Sequence, residues 1–203
     1  MNEPLRGHPS LGDWIEDFVT VWAVPLYALA TLSLWLLDRP GRPYRWRVAC
    51  LSGLAAAALG LGASQAISHL WARERPFQAH PLETVLLAPP SPDPSFPSDH
   101  AVAAFAIAFS VLLAGGRRAG FAFLAGAVLI AGTRVLVGLH YPGDVAAGVL
   151  VGLASALLVA FAGRGRWPAL LGLLGRIGDP VLAPAWRALD AQRARRGRAT
   201  PRP

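Results

Sequence analysis

The sequence predicts an all-α fold, an integral membrane helical bundle of about five transmembrane helices with a sixth left open. Apolar residues make up 54% of the 203 residues and charged residues only 15%, which is unlike a soluble globular protein. Much of the apolar content lies in long runs, and a helix needs roughly 20 apolar residues to cross a hydrocarbon core of about 30 Å. All 19 basic residues are arginine, and most of them flank these runs. The basic excess therefore indicates membrane topology and not a nucleic-acid-binding surface.

Five apolar runs are the predicted spans. They are separated by segments that hold arginine, proline or histidine, and they comprise Phe18–Leu37, Val48–Trp71, Ala101–Ala114, Gly120–Leu139 and Val145–Ala162. The third run is short, because its 14 residues rise only about 21 Å as a helix. Small residues recur within the runs, as in Gly148-x-x-x-Gly152, and they permit close helix contact in lipid.

These spans divide the chain into three parts. Residues 1–17 are predicted to form an N-terminal interfacial segment, 18–163 the membrane domain and 164–203 a basic cytoplasmic tail. The tail combines arginines with prolines, so we expect it to be interfacial or partly disordered; a sixth span there fits less well. Cys50 is the only cysteine, which excludes an internal disulfide framework and a cysteine metal cluster.

The distribution of arginine predicts the orientation of the bundle. With five spans, the first connection, the third connection and the tail fall on one side, and they hold 15 of the 19 arginines. Cytoplasmic segments carry such an excess of basic residues. The amino terminus, the loop 73–99 and the short connection 139–144 are therefore expected to face outward.

Three polar segments interrupt the apolar pattern on that outward side. The first, Trp71–Phe77, closes the second span, and the second, Ser95–Ala101, opens the third. The last, Thr133–Asp144, ends the fourth span and begins the fifth. The topology therefore predicts that all three meet at one outer rim, although about seventy residues separate the first from the last.

The residue types in these segments suit an anion that contains phosphorus. Ser98 and Asp99 precede an apolar helix, whose first backbone N–H groups lack partners and whose dipole favours negative charge. Arg75 and Arg134 supply planar, permanently charged groups that match phosphate oxygens. An arginine near the end of an apolar span is costly unless it is paired, so Arg134 requires a partner or a ligand.

Two histidines in the same segments can carry out phosphoryl chemistry. His140 is followed four residues later by Asp144, a spacing that resembles an imidazole held in one tautomer by a carboxylate. Such a histidine can attack phosphorus and form a covalent phosphohistidine. His100 can then protonate the leaving oxygen and later activate water. These groups need neither a metal nor another cofactor.

Together the three segments resemble the signature motifs of the type 2 phosphatidic acid phosphatase superfamily of membrane lipid phosphatases. Arg75-Pro76 matches the Arg-Pro that ends the first motif, and 97–100 matches the second motif, Pro-Ser-Gly-His. The third motif reads Ser-Arg, five residues, His, three residues and Asp, which 133–144 matches with threonine in place of serine. The resemblance covers 73–144 by motif and most of the chain by hydropathy.

The resemblance implies a role for each matching residue. His140 is the nucleophile, Asp144 its orienting carboxylate and His100 the general acid, whereas the phosphate-binding residues are Arg75, Ser98 and Arg134.

Two departures from the family pattern stand out. Ser68 occupies the position of the family's usual lysine, and Arg73 is a candidate substitute for that phosphate contact. Asp99 replaces the usual glycine; its backbone N–H can still bind phosphate, while its side chain is expected to cap the helix or to pair with Arg73.

These departures, the small size and the five spans resemble the bacterial undecaprenyl-diphosphatase branch, which is linked to bacitracin resistance. That branch hydrolyses undecaprenyl diphosphate to the monophosphate during recycling of the cell-wall lipid carrier. The resemblance thus implies a multi-pass enzyme of the bacterial inner membrane with an extracytoplasmic active site. Its expected partners are a lipid phosphate or diphosphate and the bilayer, and the oligomeric state is left open.

Other interpretations of the same residues remain. The motifs recognise phosphate and not the lipid, so phosphatidate or phosphatidylglycerophosphate is the second candidate substrate. A non-catalytic anion-binding or transport subunit of the membrane is a different class. A serine hydrolase triad of Ser98, His140 and Asp144 would not explain two arginines and lacks the Gly-x-Ser-x-Gly turn. A metal site of Asp99, His100, His140 and Asp144 would place the arginines against a cation.

Overall fold

The computed structural model describes residues 22–38, 44–84 and 86–199, and these residues form an all-α fold without a β-strand, as predicted. The predicted interfacial segment 1–17 and the start of the first predicted span lie outside the described residues. The helices are α1 (Ala23–Ser33) with a following 3-10 turn (Leu34–Leu37), α2 (Arg45–Leu70), α3 (Pro76–Ala79), α4 (Asp99–Leu113), α5 (Arg117–Leu136), α6 (Pro142–Gly163) and α7 (Trp167–Ala199).

Five of these elements correspond to the five predicted spans. In the described part of the chain, α2, α5 and α6 are long and apolar enough to cross a membrane, and 23–37 and α4 are shorter apolar helices. Helices α2, α5 and α6 begin at Arg45, Arg117 and Pro142, each a little before the predicted span. The apolar run marks only the part buried in lipid, whereas the first helical turn extends to the interface, where water can satisfy its backbone N–H groups.

Helix α4 lies at the centre of the bundle. Every residue from Ala101 to Ala108 is buried, because α2, α5 and α6 pack around it. At 15 residues it is also the shortest of the spanning elements apart from α1. Its first turn contains Asp99 and His100, so the centre of the bundle leads directly into the second polar segment.

Glycines allow the neighbouring helices to approach α4 closely. A Cβ atom on Gly148 or Gly152 of α6 would come within 2.8 Å of the Ala101 Cβ or of the Val102 carbonyl oxygen, respectively. A Cβ on Gly60 of α2 would lie 2.7 Å from the Val102 side chain. The predicted Gly148-x-x-x-Gly152 pair thus forms the contact between α6 and α4, as small residues do in membrane bundles.

The described part of the tail forms helix α7. The helix is held to the bundle through Arg47, a fully buried residue of α2 whose guanidinium lies 2.5 Å from the Asp179 carboxylate. The rings of Trp35, Tyr44 and Trp186 surround the same guanidinium. Helix α7 is not among the described helices that are apolar enough to cross a membrane. Its predicted interfacial location stays a prediction.

The antiparallel order of the helices separates two kinds of residues. The end of α2, the start of α4, the end of α5 and the start of α6 meet at one end of the bundle and carry the three polar segments. The opposite end carries the arginine-rich starts of α2 and α5 and the end of α6, including Arg45, Arg47, Arg117, Arg118 and Arg164. One end therefore carries the three polar segments with His100 and His140, and the other carries a cluster of arginines.

Candidate active site

A cavity of about 470 Å³ opens at the end where the three polar segments meet. Arg75 lines it from the first segment, and Asp99 and His100 line it from the second. Arg134 and His140 line it from the third. The structure therefore brings residues of all three segments to one cavity, with both histidines on the same side of the bundle.

Backbone hydrogen bonds join the three segments. The Ser95 N–H donates to the Arg73 carbonyl oxygen at 2.8 Å, which links the second segment to the first. The Ser98 N–H donates to the Asp144 carbonyl oxygen at 3.1 Å, which links the second segment to the third. These bonds satisfy backbone groups that would otherwise be buried without partners, so they hold the loops around the cavity.

His140 is held in one orientation by a backbone carbonyl. Its side chain is buried, and its Nδ1 lies 2.7 Å from the carbonyl oxygen of Ser95. A carbonyl oxygen only accepts hydrogen bonds, so Nδ1 carries the proton and Nε2 of the neutral ring keeps its lone pair. That Nε2 lies 3.3 Å from the Arg75 guanidinium. The lone pair on Nε2 therefore faces the positively charged Arg75.

Asp144 orients this histidine less directly than the sequence indicates. The carboxylate is fully buried, and its Oδ2 lies 3.7 Å from the His140 Nδ1, too far for a strong hydrogen bond. It accepts shorter hydrogen bonds from the Ser95 hydroxyl at 2.5 Å, the Tyr141 N–H at 2.8 Å and the Arg73 guanidinium at 2.8 Å. Asp144 thus anchors the residues around His140, and the carbonyl of Ser95 accepts from the ring.

The two cavity arginines differ in their partners. Arg75 donates to the carbonyl oxygens of Asp93 at 2.8 Å and Leu139 at 3.1 Å. Burial lowers the pKa of the Arg75 guanidinium below its usual value, although Asp93 and Asp144 oppose that shift. For Arg134, which is only 6% exposed, neither Nε nor Nη1 finds a hydrogen-bond partner among the described residues.

Ser98 also lacks a partner. Its side chain is fully buried, and its hydroxyl makes no hydrogen bond to the described residues. It is the residue that precedes α4, next to the free backbone N–H groups of the first turn. Buried polar groups are rarely left without partners, so the Arg134 guanidinium and the Ser98 hydroxyl together indicate an anion site.

Two predicted phosphate-binding residues contact other protein groups. The Asp99 carboxylate accepts hydrogen bonds from the Ser64 hydroxyl and from the Gln65 amide, so the expected helix cap or pairing with Arg73 is wrong. Arg73 instead binds Asp144 and stacks on the ring of Tyr141, 3.9 Å from its centroid. The reason is proximity, since Tyr141 and Asp144 begin α6 beside the loop that holds Arg73.

Ser68, at the position of the family's lysine, has a structural contact. Its hydroxyl donates to the Phe96 carbonyl oxygen at 2.9 Å and so holds the second segment against α2. His69, the next residue, lines the cavity. Whether Arg73 takes over a phosphate contact is not decided by these contacts and stays a prediction.

Two alternative interpretations of the site do not match the geometry. The Ser98 hydroxyl has no partner and His140 Nδ1 is bonded to Ser95, so the hydrogen bonds of a serine hydrolase triad are absent from this part of the structure. Among the described residues, no three His, Cys, Asp or Glu side chains are grouped so that they could hold a metal ion.

Ser95 is the site residue that the sequence did not single out. It is fully buried and contacts both His140 and Asp144. A serine two residues before Pro97 carries no signal by type, because one of its two contacts is made by the backbone. Only its place within a segment that already holds Ser98 and His100 could have drawn attention to it.

Comparison with known proteins places these residues in a family context. The PAP2 superfamily matches residues 47–167 of the chain. Undecaprenyl-diphosphatase BcrC of Bacillus subtilis is 34% identical over 157 residues, which cover 77% of this chain and 76% of the relative. Decaprenylphosphoryl-5-phosphoribose phosphatase of Mycobacterium tuberculosis is 37% identical over 130 residues, covering 63% and 66%. Lipid A 1-phosphatase of Rhizobium johnstonii is 47% identical over 68 residues, covering 32% and 27%.

The unpartnered Arg134 leads to a binding prediction. Inorganic phosphate should raise the midpoint of thermal unfolding of the purified protein, because a ligand that binds only the folded state stabilises it. Arg134→Gln should abolish this shift, since it removes the charged donors that lack partners. The matched control is Arg118→Gln, which changes an exposed arginine at the opposite end and should leave the shift intact. A normal phosphate shift in Arg134→Gln would contradict the anion site.

Proposed function

The chain belongs to the PAP2 superfamily and is a multi-pass membrane lipid phosphatase, and on that premise we propose that it hydrolyses undecaprenyl diphosphate to undecaprenyl phosphate and inorganic phosphate. The observation that carries the proposal is the anion site beside a histidine. Arg134 and His140 line one cavity, and the Ser98 hydroxyl, which also lacks a partner among the described residues, lies between the cavity residues Pro97 and Asp99 in the chain. A terminal phosphate bound there would complete the hydrogen bonds of the arginine.

The first proposed step forms a phosphohistidine. The lone pair on the His140 Nε2 attacks the terminal phosphorus as the bond from phosphorus to the bridging oxygen breaks. His100, protonated when the negatively charged substrate lies beside it, gives its proton to that oxygen, so the lipid leaves as the monophosphate. Arg75 and Arg134 neutralise the oxygens of the transferred group as charge shifts toward the bridging oxygen.

The second proposed step releases phosphate. His100, now neutral, takes a proton from a water molecule, whose oxygen attacks the phosphorus of the phosphohistidine. The bond between phosphorus and Nε2 breaks, and its electron pair returns to the ring nitrogen. Through both steps the proton stays on Nδ1, which donates it in a hydrogen bond to the Ser95 carbonyl oxygen, so the ring recovers its starting tautomer. No atom in this sequence requires a metal.

The choice of lipid rests on size and on the relatives. A cavity of about 470 Å³ has room for more than one phosphoryl group. The BcrC relative is named for undecaprenyl diphosphate and the mycobacterial relative for a decaprenyl phosphate ester, so two polyprenyl substrates occur among the proteins that match over most of the chain. The cavity can accommodate a diphosphate, and the names of the relatives favour a polyprenyl lipid over phosphatidate.

We expect activity measurements on single variants to test the proposed roles of His140 and His100. Purified protein should release phosphate from undecaprenyl diphosphate in the presence of a chelator. His140→Ala and His100→Ala should each lower kcat by about 100-fold or more, because one removes the nucleophile and the other the proton donor. Arg118→Gln serves as the control and should keep wild-type activity. Activity that survives both histidine changes would overturn the proposed mechanism.

A substrate comparison tests the lipid. Undecaprenyl diphosphate and phosphatidate, presented at equal surface concentration, should differ in kcat/KM by about tenfold or more in favour of the diphosphate, since its second phosphoryl group adds contacts in the transition state. Phosphate release is the measurement for both. The opposite preference would make the protein a phosphatidate phosphatase that uses the same site.

The proposed orientation places the active site outside the cytoplasm of a bacterial cell. It is supported by the arginines at the opposite end of the bundle, since cytoplasmic segments are enriched in basic residues. A topology reporter fused at Arg117 should therefore read cytoplasmic, and one inserted near Leu86 should read external. Reversed readings would place the site in the cytoplasm and exclude a substrate in the outer leaflet.

A further inference from the structure

Ser95 uses three different atoms to contact Arg73 of the first segment and both His140, the proposed nucleophile, and Asp144 of the third segment. Its N–H donates to the Arg73 carbonyl oxygen at 2.8 Å. Its carbonyl oxygen accepts from the His140 Nδ1 at 2.7 Å, and its hydroxyl donates to the Asp144 Oδ2 at 2.5 Å. The residue is fully buried, so water does not compete for these bonds.

The carbonyl contact decides which nitrogen of His140 can react. A neutral imidazole carries its proton on either Nδ1 or Nε2, and only the nitrogen without the proton is a nucleophile. The Ser95 oxygen cannot donate, so it stabilises the form with the proton on Nδ1. Asp144 lies 3.7 Å from the same nitrogen, and its Oδ2 is already bonded to Ser95 and Tyr141.

The hydroxyl contact holds the carbonyl in position. Asp144 is fixed by the Tyr141 N–H and the Arg73 guanidinium, both at 2.8 Å. A hydrogen bond from the Ser95 hydroxyl to this anchored carboxylate restrains the backbone of residue 95, and therefore the direction of its carbonyl oxygen. The carboxylate then acts on the histidine through the serine as well as across the 3.7 Å to the Nδ1.

We propose that Ser95 is a positioning residue for the phosphatase reaction, whose carbonyl selects the reactive tautomer of His140 and whose hydroxyl transmits the restraint from Asp144. This inference rests on the proposed role of His140 as the nucleophile. It adds an indirect route through Ser95 to the longer contact of 3.7 Å between Asp144 and the ring. It also gives a chemical reason for a serine at 95, where another small residue would fill the same space.

Ser95→Ala tests the proposal, because it deletes the hydroxyl and keeps the carbonyl. The kcat for undecaprenyl diphosphate should fall about 10- to 100-fold, the expected effect of losing one hydrogen bond to a charged group. The KM and the thermal shift produced by inorganic phosphate should stay within about twofold of wild type, since Arg134 and Ser98 are untouched. Ser95→Cys, which keeps a weak donor of similar size, should recover part of the kcat.

Ser110→Ala is the matched control for loss of a buried serine hydroxyl. Ser110 is 2% exposed and bonds to the Ala106 carbonyl oxygen within α4, away from the cavity, so its kcat should match wild type. Nitrogen NMR of ¹⁵N-histidine protein, with His140→Ala used to assign the signal, should show the proton of His140 on Nδ1 in wild type. In Ser95→Ala part of the population should carry it on Nε2.

The outcomes separate this inference from the proposed function. Full activity of Ser95→Ala, while His140→Ala is inactive, would overturn the role of Ser95 and leave the nucleophile in place. Loss of the phosphate shift together with kcat, with no recovery in Ser95→Cys, would show that Ser95 serves general stability and would also overturn it. Activity in His140→Ala would instead remove the proposed mechanism on which the inference rests.

Discussion

Two buried guanidinium groups at one end of the bundle impose the constraint on which the rest of the site depends. Arg75 and Arg134 are each only 6% exposed, and a buried charge is costly unless acceptors surround it. The protein supplies carbonyl oxygens of two loops to Arg75, and these bonds hold the loops around the cavity. It supplies no acceptor from the described residues to two nitrogens of Arg134. One arginine therefore organises the cavity, and the other keeps two donors without a partner among the described residues.

The contacts that pack α6 against α4 also determine the geometry of the site. Gly148 lies one turn after Asp144 in α6, and a Cβ there would come within 2.9 Å of the Ser98 carbonyl oxygen. The same close approach lets the Ser98 N–H donate to the Asp144 carbonyl oxygen. Small residues on α6 thus do more than allow helix association in lipid, since they bring the second and third segments within hydrogen-bonding distance.

The sequence located the site because the number of spans decides which connections share an end. Once five apolar runs are recognised, Arg75, His100 and His140 must lie on one side, and the structure places them around one cavity. The individual hydrogen bonds within the site could not be predicted from the number of spans. Ser95 contacts His140 through its carbonyl oxygen, which every residue possesses, so the residue type at position 95 does not predict this contact.

Side-chain partners were harder to predict than positions. Arg73 was expected to pair with Asp99, but it bonds to Asp144 and stacks on Tyr141 at the start of α6. The Asp99 carboxylate accepts a hydrogen bond from the Ser64 hydroxyl. In the sequence, Ser64 is only a small polar residue within an apolar helix, so this contact was not predicted. The burial of Arg47 among aromatic rings was likewise hidden, because its partner Asp179 lies far along the chain in a segment that resembles a loose tail.

The shortness of α4 has a consequence for where the lipid must travel. Its 15 residues rise about 22 Å, less than a hydrocarbon core of about 30 Å, and its neighbours α2, α5 and α6 are longer. On the cavity side the central helix begins at Asp99, which is bonded to Ser64, and α2 continues beyond Ser64 to Leu70, so α2 extends past the start of α4. Under the proposed function, a lipid substrate would bring its charged end to the start of α4 while its hydrocarbon tail stays in the leaflet, so the thickness of the bilayer would influence turnover.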